Sequence, residues 1–251
     1  MNRLEGKTAL VTGASSGIGR GVAIAFAEEG ADVAINYPDK SQQKNAEETA
    51  AAVAKAGRKA LLVQADVSKD KPVKNMVDKV LDAFGRIDIL VNNAGIASSA
   101  PVEDMSVAMW DEMIAVNLRS VFLCTHFVLP HMYAQDYGRI VNNASQLASI
   151  GSPGLAHYTA AKGGIISFTR SLSLEIGARN VNANCVGPGA TKTPILDGIA
   201  DEHMAAIKAN IPKGRLGEVR DIVPAFVFLA SEEARHMVGQ TISPNGGDAF
   251  F

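Results

Sequence analysis

Cysteine is nearly absent. Cys124 and Cys185 are the only two in 251 residues, too few and too far apart for a disulfide framework or a zinc site. An excess of charge of one sign is missing too. The formal net charge is −2, which leaves no basic stripe for a nucleic-acid partner. No apolar run approaches the ~20 residues of a membrane span, and Met1 to Gly6 lacks the apolar core of a secretory signal. Internal repeats, low-complexity tracts and proline-rich linkers are also lacking, so one domain over residues 1–251 is expected. Together these absences predict a cytoplasmic protein with structural thiols, partnered by neither nucleic acid nor membrane.

What the chain does have is apolar bulk in regular alternation. Hydrophobic residues make up 47% of it, enough to bury a large core. Strand-like runs are expected at Lys7–Thr12, Asp32–Tyr37, Ala60–Gln64, Ile87–Val91, Arg139–Asn143, Val181–Val186 and Gln240–Ser243. Between them lie helical stretches: Ile18 to Gly30, Ser41–Ala56, Val73–Phe84 ended by Gly85, about Ser106 to Tyr133, Ala156–Ile176 and Asp221–Ala230. Such alternation predicts an α/β fold of three layers, a doubly wound Rossmann-type parallel sheet with helices on both faces. Ligands of such sheets sit beyond the carboxyl ends of the strands. The segment Gly187–Gly217, with Pro188, Pro194 and Pro212, is the least regular and is expected to act as a substrate loop.

The first strand runs into Thr12-Gly13-Ala14-Ser15-Ser16-Gly17-Ile18-Gly19. Glycines let backbone turn tightly against a pyrophosphate, and the following helix offers unpaired N–H groups. Position after a strand and before a helix favours a dinucleotide loop over a turn used only for packing. The second strand ends at Asn36 and Tyr37, where many NAD binders place a carboxylate for the ribose 2′-hydroxyl. Uncharged Asn36 would not repel a 2′-phosphate, and Ser15, Ser16 and Lys40 would attract one; Asp39 opposes it, and no arginine is apparent beside it. NADP(H) is favoured, with NAD(H) close behind.

Tyr158 and Lys162 are four apart at the start of a predicted helix and share one face. A free tyrosine titrates near ~10; a neighbouring ammonium would lower that value and make a general acid/base for an alcohol proton. Alone the pair is unremarkable on a surface helix. Ser145 follows the fifth strand at the ligand-binding edge, Asn92–Gly95 closes the fourth, and Asn117 interrupts a helical region where asparagine is a poor former.

Over essentially its whole length, the chain resembles the compact branch of the short-chain dehydrogenase/reductase family. The match lies in Thr12–Gly19, Asp66, Asn92–Gly95, Asn117, Ser145, Tyr158 with Lys162, and Pro188-Gly189. The resemblance implies an NAD(P)-dependent oxidoreductase acting on CH–OH groups, without a metal. It implies Tyr158 as proton donor and acceptor, Lys162 as the group that lowers its pKa and holds the nicotinamide ribose, and Ser145 as the orienter of the substrate oxygen. Asn117 would hold a water in a proton relay. Asp66 and Val67 would meet the adenine, Asn93, Ala94 and Gly95 would line the cofactor, and Pro188, Gly189, Thr191 and Thr193 would meet its nicotinamide end. Homotetramers are usual in the family. Two departures stand out: Asn143 occupies a usually apolar position, with local packing expected to suffer, and Ser16 stands where NADP-preferring members often carry arginine.

Ile96, Gln146, Leu147, His157 and the Gly187–Gly217 segment are expected to face a small-molecule substrate. Sugar, polyol and small-carbonyl substrates are favoured, and a 3-ketoacyl-carrier-protein reductase is the alternative. Two further alternatives are a dinucleotide-sensing regulator without turnover, disfavoured because all four catalytic candidates remain, and an extended-branch sugar epimerase, disfavoured by chain length and glycine spacing. His126 and His131 are read as packing or solvent residues, Met105, Met109 and Trp110 as core, Cys185 as buried, and Phe250 and Phe251 as interface or frayed end.

Overall fold

The structure is a computed structural model and describes residues 2–250. Strands β1 (Thr8–Val11), β2 (Asp32–Tyr37), β3 (Ala60–Gln64), β4 (Ile89–Asn92), β5 (Gly138–Asn143), β6 (Val181–Val186) and β7 (Thr241–Ile242) form one sheet in the order β3-β2-β1-β4-β5-β6-β7. All pairings are parallel. The order reverses direction between β1 and β4, the crevice where such sheets bind ligands.

Alternation along the strands divides the core in two. In β1, Ala9 and Val11 face one cluster while Leu10 faces the other. The first cluster packs under α1 (Gly17–Glu28) and α9 (Val219–Ala230) through Val22, Phe26, Phe226 and Val227. The second packs under α3 (Asp70–Phe84), α5 (Ser120–Ala134) and α7 (Ala156–Ile176) through Val73, Met76, Leu123, Val128 and Leu172. Two-sided burial is why the strands read as continuous apolar runs. Gly85 stops α3 in the left-handed region, its N–H on Leu81 O at 2.7 Å. The remaining helices are α2 (Gln43–Lys55), α4 (Val107–Ile114), the short α6 (Leu147–Ile150) and α8 (Asp201–Asn210).

Several expectations need correcting. Residues 187–217 are not all loop: α8 occupies ten of them, unseen in sequence because none of its residues is buried and no apolar stripe marks it. Trp110 is 41% exposed and Met105 and Met109 are only half-buried, because the start of α4 stands off the sheet. The continuous helical region Val107–Ala134 is long and apolar enough to cross a membrane by length and composition alone; here it packs on the sheet, which accounts for Leu123, Cys124, Val128 and Met132. Phe250 is 87% exposed, and Phe251 lies outside the described residues.

Candidate active site

The loop after β1 is built by contacts that tolerate no side chain. Gly13 has φ +61°, and a Cβ on it would lie 2.8 Å from Ala94 Cα. A Cβ on Gly19 would lie 2.4 Å from Asn93 Nδ2. Thr12 Oγ1 accepts from the N–H groups of Asn93 and Ala94, each at 3.0 Å, so the β1 and β4 exits are tied together. Ser16 is the extended N-cap of α1, and its side chain caps nothing. The first N–H groups of α1, with Gly17 and Ile18 among them, therefore point at the crevice without a side-chain partner, which suits a pyrophosphate.

Asn36 is placed differently from the sequence expectation. It is 1% exposed. Its Oδ1 accepts from Gly13 N at 3.2 Å, and its Nδ2 donates to Val63 O and Ala65 O at 3.3 and 3.0 Å. It holds the glycine loop against β3 and has no face for a 2′-phosphate. Tyr37 beside it is 8% exposed. An arginine does stand near: Arg20 reaches back from α1 to Ser15 O at 2.7 Å and lies 3.3 Å from Glu48. Ser15 Oγ meets Gln42 at 3.4 Å. Asp39 accepts from Ser41 N at 2.7 Å, and these bonds hold its carboxyl below the usual range. At the end of β3, exposed Asp66 accepts from Ser68 N and Oγ at 2.9 and 2.7 Å, with Val67 buried next to it.

Two asparagine pairs cross from β4 to β5, one on each face. Asn92 Nδ2 donates to Asn142 Oδ1 at 2.8 Å, and Asn142 Nδ2 to Thr169 Oγ1 at 2.9 Å. Asn143 Nδ2 donates to Asn93 Oδ1 at 2.9 Å, while Asn93 Nδ2 clasps Thr12 O and Gly13 O. Asn143 is thus a crosslink through its amide nitrogen, while its Oδ1 is buried without a partner. Its carbonyl accepts from Lys162 Nζ at 2.7 Å.

Tyr158 and Lys162 share one face of α7, with Nζ 5.6 Å from the phenol ring centroid. Ser145, 7% exposed, stands against Tyr158, where it favours the phenolate, and accepts from Leu147 N at 3.1 Å. Burial pulls the Lys162 ammonium down to about 8. Burial likewise raises the Tyr158 phenol, only partly opposed by Ser145. The lowering expected from Lys162 alone does not prevail among the protein's own groups, because desolvation is the larger effect.

Asn117 sits in a π-helical turn over Ala115–Arg119 joining α4 to α5. Such turns free backbone and reorient a side chain. Nδ2 donates to Ile96 O and Met113 O at 3.1 and 3.2 Å, whereas Oδ1 is buried without a partner. A Cβ on Gly95 would fall 2.5 Å from that oxygen. His157 is fully buried, its Nε2 3.0 Å from Ser98 Oγ, and so turns inward in place of the substrate-facing position expected of it.

Gln146 N donates to Pro188 O at 3.0 Å, bringing the β6 exit against Ser145. Thr191 Oγ1 donates to Gly189 O at 2.8 Å. Thr193 lies over the phosphate loop, where a Cβ on Gly17 would be 3.4 Å from it. Thr193, Pro194 and Lys192 join Ser16, Gly17 and Arg20 around a cavity of about 450 Å³. The glycine cradle, the uncapped α1 terminus, the orphan Asn117 oxygen and the buried Lys162 fit a nicotinamide dinucleotide along the β1–β4 crevice. Sequence reasoning missed Arg20, which no local motif marks. No cluster of metal-ligating side chains occurs among the described residues.

Residues 13–248 match the family model described as Enoyl-(Acyl carrier protein) reductase. The 3-oxoacyl-acyl-carrier-protein reductase FabG of Staphylococcus aureus is 39% identical over 96% of this chain and 97% of its own. A short-chain alcohol dehydrogenase structure from Sinorhizobium meliloti 1021 superposes with TM-score 0.94 at 35% identity, covering 98% of both chains. A short-chain dehydrogenase from Burkholderia cenocepacia J2315, solved with NADP, gives 0.90 at 36%, covering 98% of this chain and 99% of its own. Sheet order, crevice and these likenesses agree: the chain belongs to the short-chain dehydrogenase/reductase family of NAD(P)-dependent oxidoreductases.

Proposed function

We propose that the chain interconverts a secondary alcohol and a ketone of a sugar, polyol or small carbonyl compound, with Tyr158 as acid and base. The observation that carries this reading is the convergence of Ser145 and Lys162 on Tyr158, with the buried Nζ 5.6 Å from the phenol ring and Ser145 favouring the phenolate. A substrate oxygen set between the two hydroxyls receives hydrogen bonds as negative charge develops on it. In reduction Tyr158 gives its proton to that oxygen; in oxidation the phenolate takes it. When bound, the nicotinamide supplies or accepts the hydride at the adjacent carbon. Lys162 orients the ribose and holds positive charge near the phenol, and Asn117 Oδ1 is suited to hold a water behind Lys162.

NADP(H) is the proposed cofactor, with NAD(H) the alternative. Support comes from the NADP-bound relative and from Ser15, Ser16 and Lys40 around the adenosine end, with Asp39 opposing. Asn36 takes no part in that choice, since its side chain is turned inward onto Gly13 N, Val63 O and Ala65 O. A homotetramer in the cytoplasm is also proposed; exposed Phe122 on α5 and Leu174 on α7, 50% and 87% accessible, offer apolar area for assembly.

A second reading is a 3-ketoacyl-carrier-protein reductase, favoured by the 39% identity to FabG. The test is a screen of sugars, polyols, ketones and β-ketoacyl thioesters with both cofactors, read by nicotinamide absorbance. Turnover of no alcohol or carbonyl with either cofactor refutes the enzyme.

A further inference from the structure

Gln146 follows Ser145 and is 4% exposed. Its carboxamide nitrogen donates to Asp248 Oδ2, and that bond fixes which way the amide faces. Oε1 is consequently turned toward Gly189, where a Cβ would lie 3.0 Å away, and it is buried with no hydrogen-bond partner.

Asp248 reaches this place through a built turn. Asn245 Oδ1 accepts from Gly247 N at 2.8 Å, and its Nδ2 donates to Ala249 O at 2.7 Å and Ser243 Oγ at 2.9 Å. Gly246 and Gly247 have φ of +74° and +93°, and the turn presses on Ile211 and Pro212 of the substrate segment. Lys213 N donates to Gly246 O at 3.1 Å. Asp248 forms no ion pair among the described residues. A carboxylate and an unpartnered amide oxygen therefore meet beside the residue that touches the reacting oxygen.

We propose that Asp248 and Gln146 form an acceptor pair that selects substrates carrying hydroxyl groups next to the reacting carbonyl, as in a sugar or polyol. This rests on the oxidoreductase reading of the same cleft. Both groups left over after the Gln146–Asp248 bond accept hydrogen bonds, so only donors satisfy them. An apolar acyl chain brings no donor to either acceptor. Sites built to bond a substrate hydroxyl reject the analogue lacking it strongly, because their own polar groups are then left unpaired.

The test compares dihydroxyacetone with acetone, 2-hydroxycyclohexanone with cyclohexanone, and adds acetoacetyl-CoA. The hydroxylated member of each pair is expected to have a kcat/KM at least about 100-fold higher. In Asp248→Ala and Gln146→Leu that ratio is expected to fall below about 10, chiefly through KM. Calorimetry of glucitol with the nicotinamide-saturated protein supplies a readout independent of turnover. Weaker glucitol binding in Asp248→Ala, with nicotinamide affinity and Tm retained, supports the pair even if no carbonyl is reduced. Turnover of acetone and cyclohexanone without preference for hydroxyls overturns the pair and leaves the oxidoreductase reading standing. A preference for acetoacetyl-CoA over the hydroxy ketones, or a ratio unmoved by either substitution, also overturns it.

Discussion

Lys162 Nζ lies 2.7 Å from the carbonyl oxygen of Asn143, and the Asn143 side chain holds Asn93, which clasps the glycine loop. The buried ammonium and the phosphate loop are thus joined by a short polar chain across the ends of β4 and β5. Its members sit far apart in sequence, and parallel pairing of β4 with β5 brings them into line.

Charge burial at Lys162 has a thermodynamic signature. Its pKa falls from 10.5 to about 8 because the cation is desolvated. Between those values the unfolded chain binds the proton and the folded chain does not, so the group makes stability rise with pH across that window. Below about 8 the full cost is present, on the order of 3 kcal/mol. Lys162→Met keeps the stem, removes the charge and forfeits one hydrogen bond. It is expected to be inactive yet more stable than the parent by about 1–2 kcal/mol near neutrality. Urea melts at about pH 6.5 and 10 check this; the advantage is expected to fade at the higher pH.

Burial holds the Tyr158 phenol above its ordinary range and outweighs the lowering by Ser145. The neutral phenol, the donor in reduction, therefore persists through neutral pH, while the phenolate needed for oxidation grows only as pH rises. Reduction is expected to be level from about pH 6 to 8 and oxidation to climb toward pH 10. Tyr158→Phe is expected to lower kcat about 10³-fold or more in both directions, with nicotinamide Kd changed less than about 3-fold. Stopped assays and fluorescence titration measure the two quantities.

Asn36→Asp separates a buried structural role from a cofactor-selecting one. The substitution removes the donors to Val63 O and Ala65 O and sets a carboxylate against those carbonyls in a site 1% exposed. A loss of about 3 kcal/mol in a denaturant melt is expected. A clean switch to NAD(H) at unchanged stability would show that the side chain faces the ribose after all.

The strands were legible because each is a short apolar run bounded by glycine or polar residues, and β2, β3, β6 and α7 begin and end where periodicity places them. The site was legible where chemistry is local, as at Tyr158 and Lys162 one turn apart. What depends on direction was not. Strand alternation alone does not tell whether Asn36 turns to the ligand or to β3, and His157 reads as substrate-facing although Ser98 draws it inward. Trp110 looks like core by composition, yet α4 begins off the sheet. Asp248 lies far along the chain from Gln146, and only the Asn245-Gly246-Gly247 turn delivers it.

Close approach, more than backbone freedom, is what Gly13 provides. Both Gly13 and Gly57 have positive φ, +61° and +79°, but a Cβ on Gly57 meets nothing within 4 Å, whereas on Gly13 it strikes Ala94 Cα at 2.8 Å. Gly57→Ala therefore isolates the conformational penalty, about 1–2 kcal/mol for an L residue in the left-handed region. Gly13→Ala adds a backbone collision between the exits of β1 and β4, and a total loss of about 3 kcal/mol or more is expected. Because the same collision spreads the phosphate loop, nicotinamide binding is expected to weaken at least about 10-fold in Gly13→Ala, an effect of about 1.4 kcal/mol, and to be unchanged in Gly57→Ala. Paired urea melts and fluorescence titrations read both. Equal losses in the two variants would mean that turn geometry alone fixes the glycine, and that β1 and β4 do not need to approach so closely for the loop to hold a dinucleotide.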